Sequence, residues 1–118
     1  MRISSSKAKG RRLQNYVRDR LKEVFIKSWK KLPKLEDDDI KSQTMGMTGE
    51  DIVMSPAAKK IIPYSFECKN VEKINIWNAL EQAENNCEGR TPVLVFERNH
   101  SKTYVAIELD SWLETIKS

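Results

Sequence analysis

The chain has 118 residues, 39% apolar and 32% charged, with a formal net charge of +4. That length supports one hydrophobic core, so a single domain is expected over 1–118, with 1–7 frayed. No apolar run approaches the roughly 18 residues of a membrane span, and no signal-type apolar stretch is expected at the start. Two cysteines and one histidine, without CxxC spacing, argue against a disulfide scaffold or a zinc site. Cys68 and Cys87 read as reduced core residues of a cytosolic protein. The charge is unevenly distributed: residues 1–34 hold 12 Lys/Arg against 2 Asp/Glu, and the remainder 9 against 15. A basic segment of net +10 ahead of an acidic remainder of −6 reads as a footprint for a polyanion, with a solubility or membrane-surface role as the competing reading.

From Lys9 to about Leu32 the spacing predicts a helix. Leu13, Val17, Leu21, Val24/Phe25 and Ser28/Trp29 form one stripe, basic residues fill the rest of the circumference, and Pro33 stops it. Glu36-Asp37-Asp38-Asp39 lacks the spaced oxygens and glycine of a cation loop and reads as a solvated loop. A weak strand is expected within 40–48, then the flexible loop Thr44 to Gly49, then a short strand over Gly49–Val53. Ser55 to Lys60 is too polar and Pro-broken for strand interior and reads as a connection. A strand follows over Ile61–Lys69.

The next helix is expected over Lys73–Glu88, closed by Gly89, with Ile76, Leu80, Ala83 and Cys87 buried and Trp77 beside them. Its second stripe is polar without charge, Asn75, Asn78, Gln82 and Asn85/Asn86, where Lys or Glu would be better helix formers. Amides there suit either an ordinary surface or a cleft that needs donors without extra charge. Thr91–Glu97 is aliphatic enough for a central strand. A turn at Arg98–Lys102 holds His100, read as a surface residue for want of a partner nucleophile. A strand over Thr103–Leu109 and a short amphipathic helix capped by Asp110 end the chain.

The chemistry concentrates at Asp51 and, sixteen residues on, Glu67-Cys68-Lys69. Period-two geometry puts Glu67 and Lys69 on one strand face and Phe66 and Cys68 on the other. Glu50 and Asp51 are adjacent, so only one can join the charged face, and Asp51 is preferred because Gly49 suits a tight turn ahead of it. Two carboxylates and an ammonium converging from neighbouring strands fit a magnesium-dependent phosphodiesterase. The lysine would steady the developing anion or orient the attacking water. The bland alternative is a set of solvated cross-strand charges.

The order of elements, with Asp on one strand and Glu-x-Lys on the next, resembles the PD-(D/E)XK nuclease superfamily. More narrowly it is similar to the small archaeal-type and phage-encoded Holliday junction resolvases. Lys9-Gly10-Arg11-Arg12, the Thr44–Gly49 loop, Gly49-Glu50-Asp51-Ile52, Glu67-Cys68-Lys69 and Thr91–Phe96 carry the likeness, which covers roughly 7–110. It implies an α/β, restriction-endonuclease-like fold, with a central mixed β-sheet of about five strands flanked by helices. It also implies Mg2+, with Mn2+ as a substitute, bound by Asp51, Glu67 and the backbone carbonyl of Cys68, with Lys69 serving the water. Where such resolvases carry a glutamate on the first helix this chain has Gln14, suited to metal-bound water and putting a second metal in doubt. Thr44 or Thr48 would supply the loop hydroxyl, and Gln82 the glutamine found after the Glu-x-Lys strand in several branches. Lys9, Arg11, Arg12 and Arg18 would contact phosphates. The implied partners are branched or double-stranded DNA and a second subunit in a homodimer, in the cytoplasm of a bacterial host. A restriction-like or repair nuclease on duplex or nicked DNA, and a non-catalytic DNA-binding relative, are the alternatives.

Overall fold

The structure is a computed structural model that describes residues 3–27, 34–44, 46–47 and 49–117. Helix α1 spans Ile3–Lys22 and continues into a π-helical turn, Glu23–Lys27. It begins six residues before the expected start, so Ile3–Lys7 is helical. Spacing of four sets its buried face: Lys9, Leu13 and Val17 are all buried, and Leu21 packs against the same cluster. The proposed stop at Pro33 and the stripe positions Ser28 and Trp29 lie outside the described residues.

The acidic run forms a single 3-10 turn, Asp37–Asp39, closed by a capping box between Glu36 and Asp39. Strand β1, Ile40–Ser42, pairs antiparallel with β2, Ile52–Met54. Between β2 and β3 lies a helix that the sequence reading took for a connection, α2 over Pro56–Ile61. Ser55 caps it, accepting from the Ala58 N–H at 3.1 Å and donating to Asp39 at 2.6 Å. Pro56 at the first helical position has no amide to leave unsatisfied, so Ser-Pro opens this helix where an interior proline would break one.

Strand β3, Tyr64–Asn70, runs parallel to β4, Thr91–Glu97, through α3, Ile76–Asn85; β4 then pairs antiparallel with β5, Tyr104–Ala106. Helix α3 is shorter than expected because Asn75 caps it, accepting from the Asn78 N–H at 3.1 Å. Ala83 is buried as expected, but its buried companion is Ala79; Ile76, Leu80 and Cys87 are only half-buried, and Trp77 is exposed. Small residues let α3 lie close on the sheet. Helix α4, Leu109–Lys117, begins one residue before Asp110, which occupies its first turn and not the cap.

The expected five-stranded sheet is divided in two, β1-β2 and β3-β4-β5. The two sheets meet at Asp51, whose N–H donates to the Phe66 carbonyl at 3.1 Å while its own carbonyl accepts from the Gln43 N–H at 2.8 Å. One face of β3 and β4, Phe66, Cys68, Val93 and Val95, joins Leu13 and Val17 of α1 in the main core. The alternate positions, Glu67 and Leu94, lie beneath α3.

The Ser55 hydroxyl holds both the start of α2 and the Asp39 turn. Ser55→Ala should therefore lower unfolding free energy by about 1–2 kcal/mol, read from the midpoint of a urea titration at unchanged slope.

Candidate active site

Gly49 has φ of +101°, a conformation that L side chains rarely adopt, so the chain can turn sharply into Glu50 and Asp51. Those two side chains then diverge. Glu50 is buried in an ion pair with Arg90 and accepts from the Ser65 hydroxyl at 3.0 Å. Asp51 turns to the β3 edge, where its carboxylate accepts the Cys68 N–H at 2.7 Å.

That bond also orients the rest of the strand. Phe66 presents its carbonyl and Cys68 its N–H to Asp51, so this edge of β3 faces β2 at residues 66 and 68. The Cys68 carbonyl lies on the same edge, beside the Asp51 carboxylate. The Cys68 side chain points the other way into the core, where burial pushes its thiol pKa up and removes it as a thiolate.

Glu67 is 3% exposed and interacts directly with the Asp51 carboxyl. Burial first, and the Asp51 charge second, push the Glu67 carboxyl up to about 7. Asp51 is raised too, by burial above all, against the downward pull of the Cys68 N–H and Lys69. Lys69 stands two residues on, its Nζ 3.9 Å from Glu67, on a partly solvent-accessible side chain. Two carboxylates thus meet with one ammonium beside them, an arrangement that a cation would relieve.

Asn86, the residue that closes α3, donates to Glu67 at 3.3 Å. Asn86 belongs to the amide stripe of the sequence, in which Gln82 is the expected site residue. Gln82 is exposed, one turn earlier, and makes no side-chain bond among the described residues; its carbonyl accepts the Asn86 N–H. The last turn of α3, not its middle, covers Glu67.

Gln14 is buried and lines a cleft of about 330 Å³ together with Arg11, Arg18, Ser42, Gln43 and Thr44. Gln43 connects this cleft to the carboxylates, since its N–H holds the Asp51 carbonyl. Arg11, Arg18, Gln14 and Thr44 are therefore gathered in one basic cleft. Arg12 is exposed and does not line it. Lys9 departs further: it is buried, with Nζ 3.7 Å from Glu72, because it occupies the α1 stripe one turn before Leu13. That placement removes it from phosphate contact. Thr48 lies outside the described residues. Arg18 bonds Asn15 and Asp19, and the acidic run is met by Lys22, 2.9 Å from Asp37.

Among the described residues there is no group of three or more His, Cys, Asp or Glu side chains that could hold a metal ion, nor a helix long and apolar enough to cross a membrane. The possible metal ligands are thus two carboxylates and a backbone carbonyl, all hard oxygens. That set suits an ion that keeps much of its water.

Residues 5–118 match the model of a family described as "Phage putative PDDEXK endonuclease". No curated protein and no solved structure matches the chain.

The Glu67 carboxyl carries a pH signature. Its folded pKa of about 7 lies above the 4.5 of an unperturbed glutamate, so between those values the folded state binds more protons and stability falls as pH rises. Glu67→Gln should flatten that slope, leaving the smaller contribution of Asp51, and at pH 8 without divalent ions raise Tm by roughly 3–8 °C. Thermal unfolding of both proteins from pH 5 to pH 8.5 checks it; parallel curves would refute it.

Proposed function

Because the chain belongs to the phage PDDEXK endonuclease family, we propose that it is a metal-dependent endodeoxyribonuclease that hydrolyses phosphodiester bonds, selective for branched junctions and acting as a homodimer in the host cytoplasm. The observation that carries this reading is the forced meeting of Asp51 and Glu67. Evolution rarely leaves a buried carboxylate against a second, half-buried one unless their charge is used.

Asp51, Glu67 and the Cys68 carbonyl would hold Mg2+, or Mn2+ in its place. The bound ion supplies positive charge at the scissile phosphate and acidifies water there. Asp51 is pre-oriented by the Cys68 N–H, so its free oxygen is available without a rotamer search. Asn86 turns Glu67 toward the same point and favours its ionised form. Lys69 reaches from the charged strand face toward solvent, where its ammonium can donate to a phosphate oxygen or orient the attacking water.

Arg11 and Arg18, with the Thr44 hydroxyl, would seat a neighbouring backbone phosphate in the cleft that Gln43 ties to Asp51. Such contacts confer affinity and register without sequence preference. Gln14, neutral in the same cleft, would bond water or phosphate there without adding a ligand charge, which supports one metal over two.

A cleavage assay on a four-way junction and on linear duplex, with and without Mg2+, tests the reading. Asp51→Ala, Glu67→Ala and Lys69→Ala should each remove most cleavage. Binding in EDTA should be retained, and equal or tighter for the two carboxylate variants because negative charge facing the phosphates is lost. Near-normal cleavage by Glu67→Ala refutes the assignment, and equal cleavage of junction and duplex refutes the branched-substrate part alone.

Two more outcomes follow from the cleft. Gln14→Ala should slow cleavage roughly ten- to a hundredfold while Gln14→Glu stays active. Neutralising Arg11 and Arg18 together should weaken junction and duplex binding alike and flatten the log–log salt slope by roughly one unit per lost contact. An unchanged slope in a salt titration would remove DNA from the cleft.

A further inference from the structure

We infer that the uncharged flank of α3, Asn78 and Gln82 with Asn85, contacts nucleobase edges of DNA, adenine foremost, beside the phosphate that the carboxylates would hold. This deepens the nuclease reading and rests on it for the presence of DNA. It adds a source of sequence bias that the basic cleft does not supply.

Helix α3 sits on the sheet through Ala79 and Ala83, and two flanks rise on either side of that line. One flank, Trp77, Leu80, Glu84 and Cys87, looks toward β5, since those residues share a cavity with Ala106, Ile107 and Ser111. An advance of about 100° per residue puts Asn78, Gln82 and Asn85 on the opposite flank, with Asn75 and Asn86 nearer the sheet. Strand order β3-β4-β5 turns that flank toward the edge of β3 at which Asp51 bonds Phe66 and Cys68. Asn86 fixes the orientation, reaching Glu67 at 3.3 Å from the end of the row. Because β3 and β4 are parallel, α3 runs back against β3. One turn from Asn86 to Gln82 climbs about 6 Å along the helix. The two residues from Glu67 to Lys69 climb about 6.6 Å in the same direction. Gln82 therefore stands level with Lys69, and Asn78 one turn beyond it.

Chemistry selects what this flank touches. Asn78, Gln82 and Asn85 are exposed, and their side chains make no bond among the described residues, so they offer both donors and acceptors to a ligand. No charged residue interrupts the row, although Lys, Arg or Glu at the same positions would be better helix formers. A surface built for phosphate would carry ammonium or guanidinium groups, as the Arg11 and Arg18 cleft does. An amide instead presents a donor and an acceptor in one plane, the pattern that adenine N7 and N6 match in the major groove. The two surfaces also lie on opposite sides of the β3 edge. Leu13 and Val17 seat α1, which carries Arg11 and Arg18, on the Phe66 and Cys68 face, whereas α3 covers the Glu67 face. A duplex laid across that edge meets the basic cleft on one side and the amides on the other. The first holds the backbone and the second reads bases next to it.

Duplexes carrying a short randomised segment, bound by the full chain in EDTA and then sequenced, test this without any cleavage. Wild type should enrich adenine roughly five- to tenfold at one or two positions. Asn78→Ala combined with Gln82→Ala should abolish the enrichment and weaken binding roughly tenfold, with the log–log salt slope unchanged. Gln82→Lys should bind at least as tightly as wild type and steepen the slope by roughly one unit, yet lose part of the adenine enrichment. Circular dichroism of all three proteins should coincide, because these side chains are exposed. Wild type without enrichment overturns the inference, as does enrichment that survives the double replacement. A slope that flattens on the double replacement also overturns it, because the flank then contacts phosphate. Enrichment of another base overturns the assignment to adenine. A wild type that binds no DNA refutes this inference and the nuclease reading together. Biased binding without Mg2+-dependent cleavage refutes the nuclease reading alone, and unbiased binding with cleavage refutes the base contacts alone.

Discussion

The structure depends on one residue bonded in three directions. Asp51 donates its N–H to Phe66, accepts the Gln43 N–H on its carbonyl and the Cys68 N–H on its carboxylate. The first two bonds join sheets that otherwise share no ladder. The third fixes the carboxylate against the strand that carries Glu67 and Lys69. The fold cannot close without bringing one negative charge to another. Their mutual repulsion, in a place where burial already disfavours ionisation, appears as the raised Glu67 carboxyl. A chain optimised for stability alone would place an apolar pair there, whereas this one holds unfavourable charge where chemistry can use it.

The neighbouring acid shows the contrast. Glu50 is buried too, but it meets Arg90 and the Ser65 hydroxyl, so its charge is balanced inside the protein. Adjacent residues on a turning chain point to different surroundings, and Gly49 provides the turn. Glu50 therefore anchors the segment while Asp51 remains available. The same division applies along α1. Lys9, Lys22 and Arg20 meet Glu72, Asp37 and Glu23, so part of the basic excess is used internally. Arg11 and Arg18 instead line the cleft beside Gln14. A count of charges in residues 1–34 cannot separate these uses, because the separation depends on which helical face each base occupies.

Alternation and spacing made much of this legible in the sequence. The Glu67/Lys69 face, opposite Phe66 and Cys68, followed from period two, and the first helix's buried stripe from period four, both local properties of one element. The errors arose where one element meets another. Lys9 shares its stripe with Leu13, but its basic neighbours suggested phosphate contact; only the nearby Glu72 shows where the charge goes. The amide face of α3 was visible, but whether Gln82 or Asn86 overlies Glu67 depends on how far the helix slides along the sheet, which Ala79 and Ala83 set by close packing. The short helix α2 was missed because its proline was weighed as a breaker when Ser55 ahead of it makes it an initiator. The separation into two sheets lies beyond any pattern in the chain, since it rests on a single residue that bonds both ways without extending either ladder.

Helix α3 connects the buried charge with the protein surface. Its last residue, Asn85, leads directly to Asn86 and the Glu67 contact, while its second residue, Trp77, stands exposed at the opposite end. Between them Ala79 and Ala83 seat the helix on the sheet with little space to shift. A short helix fixed in this way transmits displacement as a rigid body, not by bending. Load placed on Trp77 therefore bears on Asn86, which orients Glu67 from the far end of the same helix.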